Sequence, residues 1–184
     1  GEVIDLSKEM MKITLRIVAK SLFSTGIDKE DLEIIDYVIT EQQKYIIKKV
    51  RQPYLKPWLF ASGENRRQKK KAGKIDKLLR RIINERKNGG EKSEDLLDML
   101  LGVRYEDTGE GMTEQQLRDE SLILFVAGHE TSANALAWTW YLLSQNRGIE
   151  AKVLEESKRV LGDRMLTFED IPQLPYSLQV LKET

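Results

Sequence analysis

"FVAGHETSAN", Phe125 to Asn134, sits in the middle of the most apolar stretch of this 184-residue chain. A helix that reads as buried carries a glycine, a histidine, a glutamate and two hydroxyls at its centre. Gly128 lowers local helix stability by about 1 kcal/mol relative to alanine. Thr131 can turn its hydroxyl onto the carbonyl of Ala127, four residues back, which competes with the backbone ladder and bends helices. On a helical projection with Ala127 at zero, Thr131 falls near about 40°, Ala135 near about 80°, Gly128 near about 100° and Ser132 near about 140°. These small residues form one smooth stripe along which a large body can approach the backbone. Glu130 lies at its edge, about 60° from Ala127. Phe125, Leu136 and Trp140 lie on the other side, and His129 goes with them as a packed or hydrogen-bonded core residue rather than a metal ligand.

Three readings of this stretch compete. A membrane span from Leu122 to Leu143 has nearly the right length. Glu130 at its midpoint costs about 2.5–3.5 kcal/mol on insertion scales, and His129 and Asn134 add to that. A helix-packing groove of small residues needs no ligand at all. A ligand platform with an acid and an alcohol beside it accounts for the polar residues as well.

Around this segment the periodicity is helical nearly throughout. A first helix spans Leu6 to Phe23, ended by Ser24-Thr25-Gly26. Asp28 caps a second, to about Val50. Pro53 and Pro57 then break the pattern, and "QPYLKPWLF", Gln52 to Phe60, reads as an apolar loop, either tucked onto its own domain or a mobile lid over a cavity. A third helix, Glu64 to Lys87, carries eleven Lys or Arg between Arg66 and Lys87. With no interleaved aromatics, that run reads as a solvated face, not a nucleic-acid patch. Asn88-Gly89-Gly90 closes it. Ser93 caps a short helix through Leu101, and an acidic, flexible turn follows, "YEDTGEG", Tyr105 to Gly111. Thr113 with Gln116 makes a capping box for the long central helix, which continues to about Gln145. Another amphipathic helix covers Glu150 to Leu161, Thr167 caps a short turn, and a last helix starts near Pro175 and reaches Thr184 with no stop signal.

The totals agree with a soluble, all-α protein with a real core. Thirty basic and thirty acidic residues cancel, so net charge points to neither nucleic acid nor a membrane surface. The chain has no cysteine, which excludes disulfides and thiolate ligands within it. Gly1-Glu2-Val3-Ile4-Asp5 carries no signal sequence, and the expected compartment is cytoplasmic.

"AGHETS", Ala127 to Ser132, resembles the oxygen-activation motif of the cytochrome P-450 superfamily, the haem-thiolate monooxygenases, whose pattern is Ala/Gly-Gly-x-Asp/Glu-Thr-Thr/Ser. The flanks from Glu106 to Asn146 are similar to that family as well. "LPYSLQVLKET", Leu174 to Thr184, resembles the start of the helix that carries its Glu-x-x-Arg motif, with Glu183 as the glutamate. The resemblance implies an all-α segment of the P-450 fold over residues 1–184: helices and a substrate lid (1–111), the central helix (112–146) and the following helices (147–184). It implies Thr131 and Glu130 as catalytic residues, Thr131 relaying protons to dioxygen and Glu130 supplying them after burial raises its pKa. Ala127, Gly128 and Thr131 would face haem and dioxygen, and Tyr54, Leu55, Trp58, Leu59 and Phe60 would form the lid. A small apolar substrate, O2 and an electron-transfer partner follow for the parent protein.

The haem-ligand cysteine and the Glu-x-x-Arg arginine have no counterpart in the chain, so it reads as a central fragment, expected to be inactive, to lack haem and to bind no metal by itself. With central-helix neighbours missing, Leu122, Leu124, Phe125, Leu136, Trp138, Trp140 and Leu143 cannot all be buried, which predicts a homo-oligomer. The alternative is a haem-free helical interaction module on the same scaffold.

Overall fold

A computed structural model describes residues 3–24, 27–89 and 93–184. It contains eight α-helices among them: α1 Leu6–Phe23, α2 Lys29–Arg51, α3 Lys56–Ala61, α4 Glu64–Lys87, α5 Leu96–Gly102, α6 Glu114–Gln145, α7 Arg147–Leu161 and α8 Pro175–Glu183. No strand occurs among the described residues; a single antiparallel bridge joins Arg104 and Gly111. The fold is all-α.

Most helix ends follow from local chemistry. The Asp28 carboxylate accepts from the Asp31 N–H at 2.8 Å and starts α2. Thr113 and Gln116 close the expected capping box, the Gln116 carbonyl accepting from the Thr113 N–H at 2.9 Å, and α6 then runs 32 residues, about 48 Å at 1.5 Å per residue. Thr167 and Asp170 make a second capping box ahead of a 3-10 turn, Phe168–Gln173. The stops placed on Thr25, Gly26 and Gly90 lie outside the described residues.

Four expectations need correction. The Gln52–Phe60 segment is not a loop: Pro53–Leu55 forms a 3-10 turn and α3 follows directly, with Pro57 in its first turn where a missing N–H does no harm. Asp95, not Ser93, caps α5, its carboxylate accepting from the Asp98 N–H at 3.0 Å. The helix expected from Glu150 begins at Arg147, because the chain re-enters a helix right after Asn146. The acidic turn is also tied down: the Tyr105 N–H donates to Glu110 at 2.9 Å, and Gln116 donates to the Tyr105 hydroxyl at 2.8 Å.

The chain clusters into two compact units, Leu15–His129, and Gly1–Thr14 with Glu130–Thr184. The first is built on one apolar core. It joins Leu22 and Phe23 of α1, Ile35 and Val38 of α2, Leu79 and Ile83 of α4, Leu97 of α5, and Leu117 and Phe125 of α6, all nearly inaccessible. The Phe23 and Phe125 rings stack at 6.5 Å. Each such side chain contributes roughly 1.5–3 kcal/mol by leaving water. Ion pairs register α2 against α4 outside the core, Asp31 with Arg81 at 2.5 Å and Glu41 with Lys71 at 2.8 Å.

The second unit carries two buried carboxylates held by several hydrogen bonds, Glu156 and Asp170. Glu156 of α7, although buried, accepts from the Tyr176 and Ser177 N–H groups at 2.9 and 2.8 Å and from the Ser177 hydroxyl at 2.8 Å. It thus supplies the N-terminal cap that Leu174 cannot give α8, with its charge at the favourable end of the helix dipole. Arg164 donates twice to Asp170 at 2.6 Å.

Candidate functional site

The AGHETS segment lies within α6, an unbroken helix on both sides of it. Its residues divide by exposure, although Gly128, placed on the small stripe by the projection, is half-buried and Trp140, placed opposite it, is exposed. Phe125 and His129 are buried, their rings 6.4 Å apart. Ala127, Thr131, Ser132 and Ala135 are exposed, and Glu130 is half-buried. A row of small side chains, two of them with hydroxyls, therefore faces outward with an acid at its margin.

Gly128 has a specific neighbour. A Cβ built there would meet Val18 Cγ2 of α1 at 3.1 Å, tighter than ordinary van der Waals contact. Helix approach therefore accounts for this glycine by itself, a role invisible without knowing which side chain of α1 comes alongside.

The other predicted residues fall elsewhere. Glu183 is exposed in the last turn of α8, at the edge of a cleft of about 550 Å³ shared with Leu142, Ile149, Tyr176 and Val180. Of the lid residues, Leu59 is buried at 1% exposure and fastens α3 to its unit, Leu55 is half-buried, and Tyr54, Trp58 and Phe60 are exposed. The Lys48 ammonium lies 5.3 Å from the Trp58 ring centre. No group of three metal-binding side chains occurs among the described residues, and no helix there is long and apolar enough to cross a membrane. Of the seven large apolar residues expected to compete for cover, Phe125 and Leu143 are buried, whereas Leu124, Trp138 and Trp140 are exposed.

The sequence reading missed the buried polar cluster of Arg86, Asp95 and Asp98. Arg86 donates to Asp95 at 2.9 Å, to Asp98 at 2.7 Å and to the Phe23 carbonyl at 3.0 Å. The bond to Asp95 raises the Arg86 pKa against the opposing effect of burial. Burial also works against the Asp98 charge, but hydrogen bonds from Arg86 and from the Ser93 and Glu94 N–H groups outweigh it and hold the carboxyl below its ordinary value. The available signal was Arg86 in the last turn of α4 with Asp95 and Asp98 three apart at the start of the next apolar run.

A sequence profile of the family described as "Cytochrome P450" matches residues 1–184. The chain belongs to the cytochrome P450 family. Members of that family are haem-dependent monooxygenases. This P450 chain is 30% identical over its whole length to cyclooctat-9-en-7-ol 5-monooxygenase of Streptomyces melanosporofaciens, of which it spans 40%. It is 35% identical, over 58% of its own length, to 10% of a bifunctional cytochrome P450/NADPH–P450 reductase of Aspergillus oryzae. Its fold matches the crystal structure of a cytochrome P450DA heme domain with a TM-score of 0.85 and 24% identity, covering all of this chain and 40% of that one. The P450 chain thus spans about two fifths of the length of the first of these relatives.

Proposed function

We propose that these residues form the oxygen-activating part of a haem-dependent monooxygenase that inserts one atom of O2 into a small apolar substrate, with electrons from a separate or fused reductase. Residues 127–132 support this most directly: the motif sits in an unbroken α6 with Ala127, Thr131 and Ser132 exposed on one side. Those side chains fit a haem, because a flat apolar group needs a face without bulk, and Ala127, Thr131, Ser132 and Ala135 leave one open. The chain has no cysteine, so the thiolate ligand comes from other residues of the parent protein and the 184 residues alone are inactive. When bound, haem iron supplies the reduction of dioxygen and the transfer of oxygen to substrate.

The protein's own part is positioning and protons. Thr131, exposed among the small side chains, supplies a hydroxyl that relays a proton. Glu130, next to it in sequence and half-buried, replenishes that proton as a general acid. Tyr54, Leu55, Trp58 and Phe60 cover the apolar substrate and exclude water, with α3 anchored by buried Leu59. On α6 to α8, exposed Trp138, Trp140, Tyr141, Leu154 and Leu178 support self-association of the chain.

Thr131→Ala in the full-length enzyme tests the proton assignment. Electron consumption should continue while peroxide replaces hydroxylated product, with the assisted step slower by about 10²–10⁴-fold. An unchanged ratio of product formed to NAD(P)H consumed in that variant contradicts the role given to Thr131.

A further inference from the structure

A second cavity, of about 620 Å³, opens between the C-terminal half of α2 and the first turns of α4. That volume falls in the range of small-molecule sites, roughly 300–1,000 Å³. Gln42 and Gln68 are joined at its wall: the Gln42 amide donates to the Gln68 side-chain oxygen at 3.0 Å and to its backbone carbonyl at 2.9 Å. Tyr45 hydrogen-bonds Asn65 beside them. Three cations line the same cavity, Lys49, Arg66 and Lys69.

The charge balance there is one-sided. No acid occurs between Glu41 and Glu64. Both of those carboxylates are already engaged, Glu41 by Lys71 at 2.8 Å and Lys44 at 3.3 Å, and Glu64 by Arg67 at 3.7 Å and the Gln68 amide at 2.7 Å. Among the described residues Lys49, Arg66 and Lys69 make no ion pair. Farther along α4, Arg80, Arg81 and Arg86 are paired with acids. The cavity also has an apolar side: the Phe60 ring is 78% exposed at its edge, although Leu59 beside it is buried, and Tyr45 adds a second ring.

We propose that this cleft binds a free phosphate-headed amphiphile, its phosphate against Lys49, Arg66 and Lys69 and its apolar body against Tyr45 and Phe60. The Lys49 ammonium lies 5.3 Å from the Tyr45 ring centre, and a phosphate monoester, with close to two charges and three acceptor oxygens, suits a cleft lined by three cations better than a carboxylate does. The aromatic side chains favour a single-tailed molecule over inorganic phosphate. The site is separate from α6 and shares only Phe60 with the proposed substrate cover.

Calorimetric titration of the 184-residue chain with dodecyl phosphate below its micelle concentration tests this. Dodecyl phosphate should bind one per chain, with dodecanol and inorganic phosphate each at least about tenfold weaker. Replacing Lys49, Arg66 and Lys69 together by Ala should weaken it by about tenfold or more, with circular dichroism confirming the fold. Phe60→Ser should weaken dodecyl phosphate and leave inorganic phosphate unaffected. If the triple variant fails to fold, raising NaCl on the unmodified chain reads the same charges, and binding should fall severalfold as they are screened. Equal binding of dodecanol, indifference to the three cations and to salt, or binding only to phosphatidic acid vesicles or to an oligonucleotide would each overturn the proposal.

Discussion

At position 128 two demands on one residue oppose each other. An alanine would stabilise the interior of α6 by about 1 kcal/mol through backbone propensity. Its Cβ would also press on Val18 Cγ2 at 3.1 Å, and Val18 must give by a few tenths of an ångström. Gly128→Ala is therefore expected to be close to neutral in stability, whereas Gly128→Leu should cost roughly 1–3 kcal/mol by overpacking. Val18→Ala added to Gly128→Leu should return part of that loss, and urea denaturation of the four chains reads the coupling. Strict additivity would show that Val18 is not the neighbour that requires glycine. Thr131 differs from Gly128 in that it is exposed. The motif singled out Thr131 from the sequence, while the packing reason for Gly128 was not legible there, because Val18 lies far away in sequence.

Among the elements, the junction of α1, α4 and α5 depends on Arg86. Its side chain is 7% exposed and that of Asp95 is 2% exposed, so truncation leaves a buried carboxylate without its counter-charge and the Phe23 carbonyl without its donor. Arg86→Ala should cost about 3–5 kcal/mol, measured by chemical denaturation, and Arg86→Lys should recover only part, since one ammonium cannot reproduce the fork that spans Asp95, Asp98 and Phe23. A loss below 1 kcal/mol would show that water takes over the arginine's role. The start of α8 depends similarly on a distant residue, Glu156. Pro175 after the cap-poor Leu174 announced a helix without saying what satisfies its first N–H groups.

For the whole chain, acid stability follows from carboxylates lowered on folding; Asp5, Glu41 and Asp119 are surface examples, and three others are held by denser hydrogen bonding. The Arg164 side chain, aided by the Thr167 N–H, holds the Asp170 carboxyl far below the ordinary carboxylate range. Burial opposes the charge of Glu156, but hydrogen bonds from Ser177 and Tyr176 overcome it and keep its pKa low; Asp98 behaves alike. All three are lowered on folding, so the unfolded chain takes up protons first. Their contribution is complete above the ordinary carboxylate pKa and is lost as pH falls through the folded values. Thermal melts by circular dichroism should be flat from neutrality to about pH 5 and fall steeply below about pH 4. Asp170→Asn should lower Tm at pH 7 and flatten the acid limb; an unaltered limb would place the sensitivity elsewhere. Association is the second property at this scale. Trp138 and Trp140 are 59% and 51% exposed, and two-fold pairing of the chain would cover them. Light scattering at micromolar concentration should give a mass above the 21.3 kDa of one chain, reduced toward it by Trp138→Ser with Trp140→Ser. A compact monomer would show that the helices satisfy themselves alone.

The sequence by itself determined the all-α class, the bounds of α1 and α4, the cap of α2, the capping box of α6 and the small stripe around Thr131. Each of these depends on residues within about one or two helical turns, where spacing and side-chain type set the geometry directly. Only the tertiary structure decided that α3 is a helix fastened by Leu59, that Gly128 meets Val18, that Glu156 caps α8 and that Arg86 gathers Asp95, Asp98 and Phe23. The Arg86–Phe23 bond joins residues 63 positions apart. Contacts of that kind form when apolar faces dock and bring otherwise unrelated backbone groups within hydrogen-bonding reach, and local periodicity carries no record of which faces will meet.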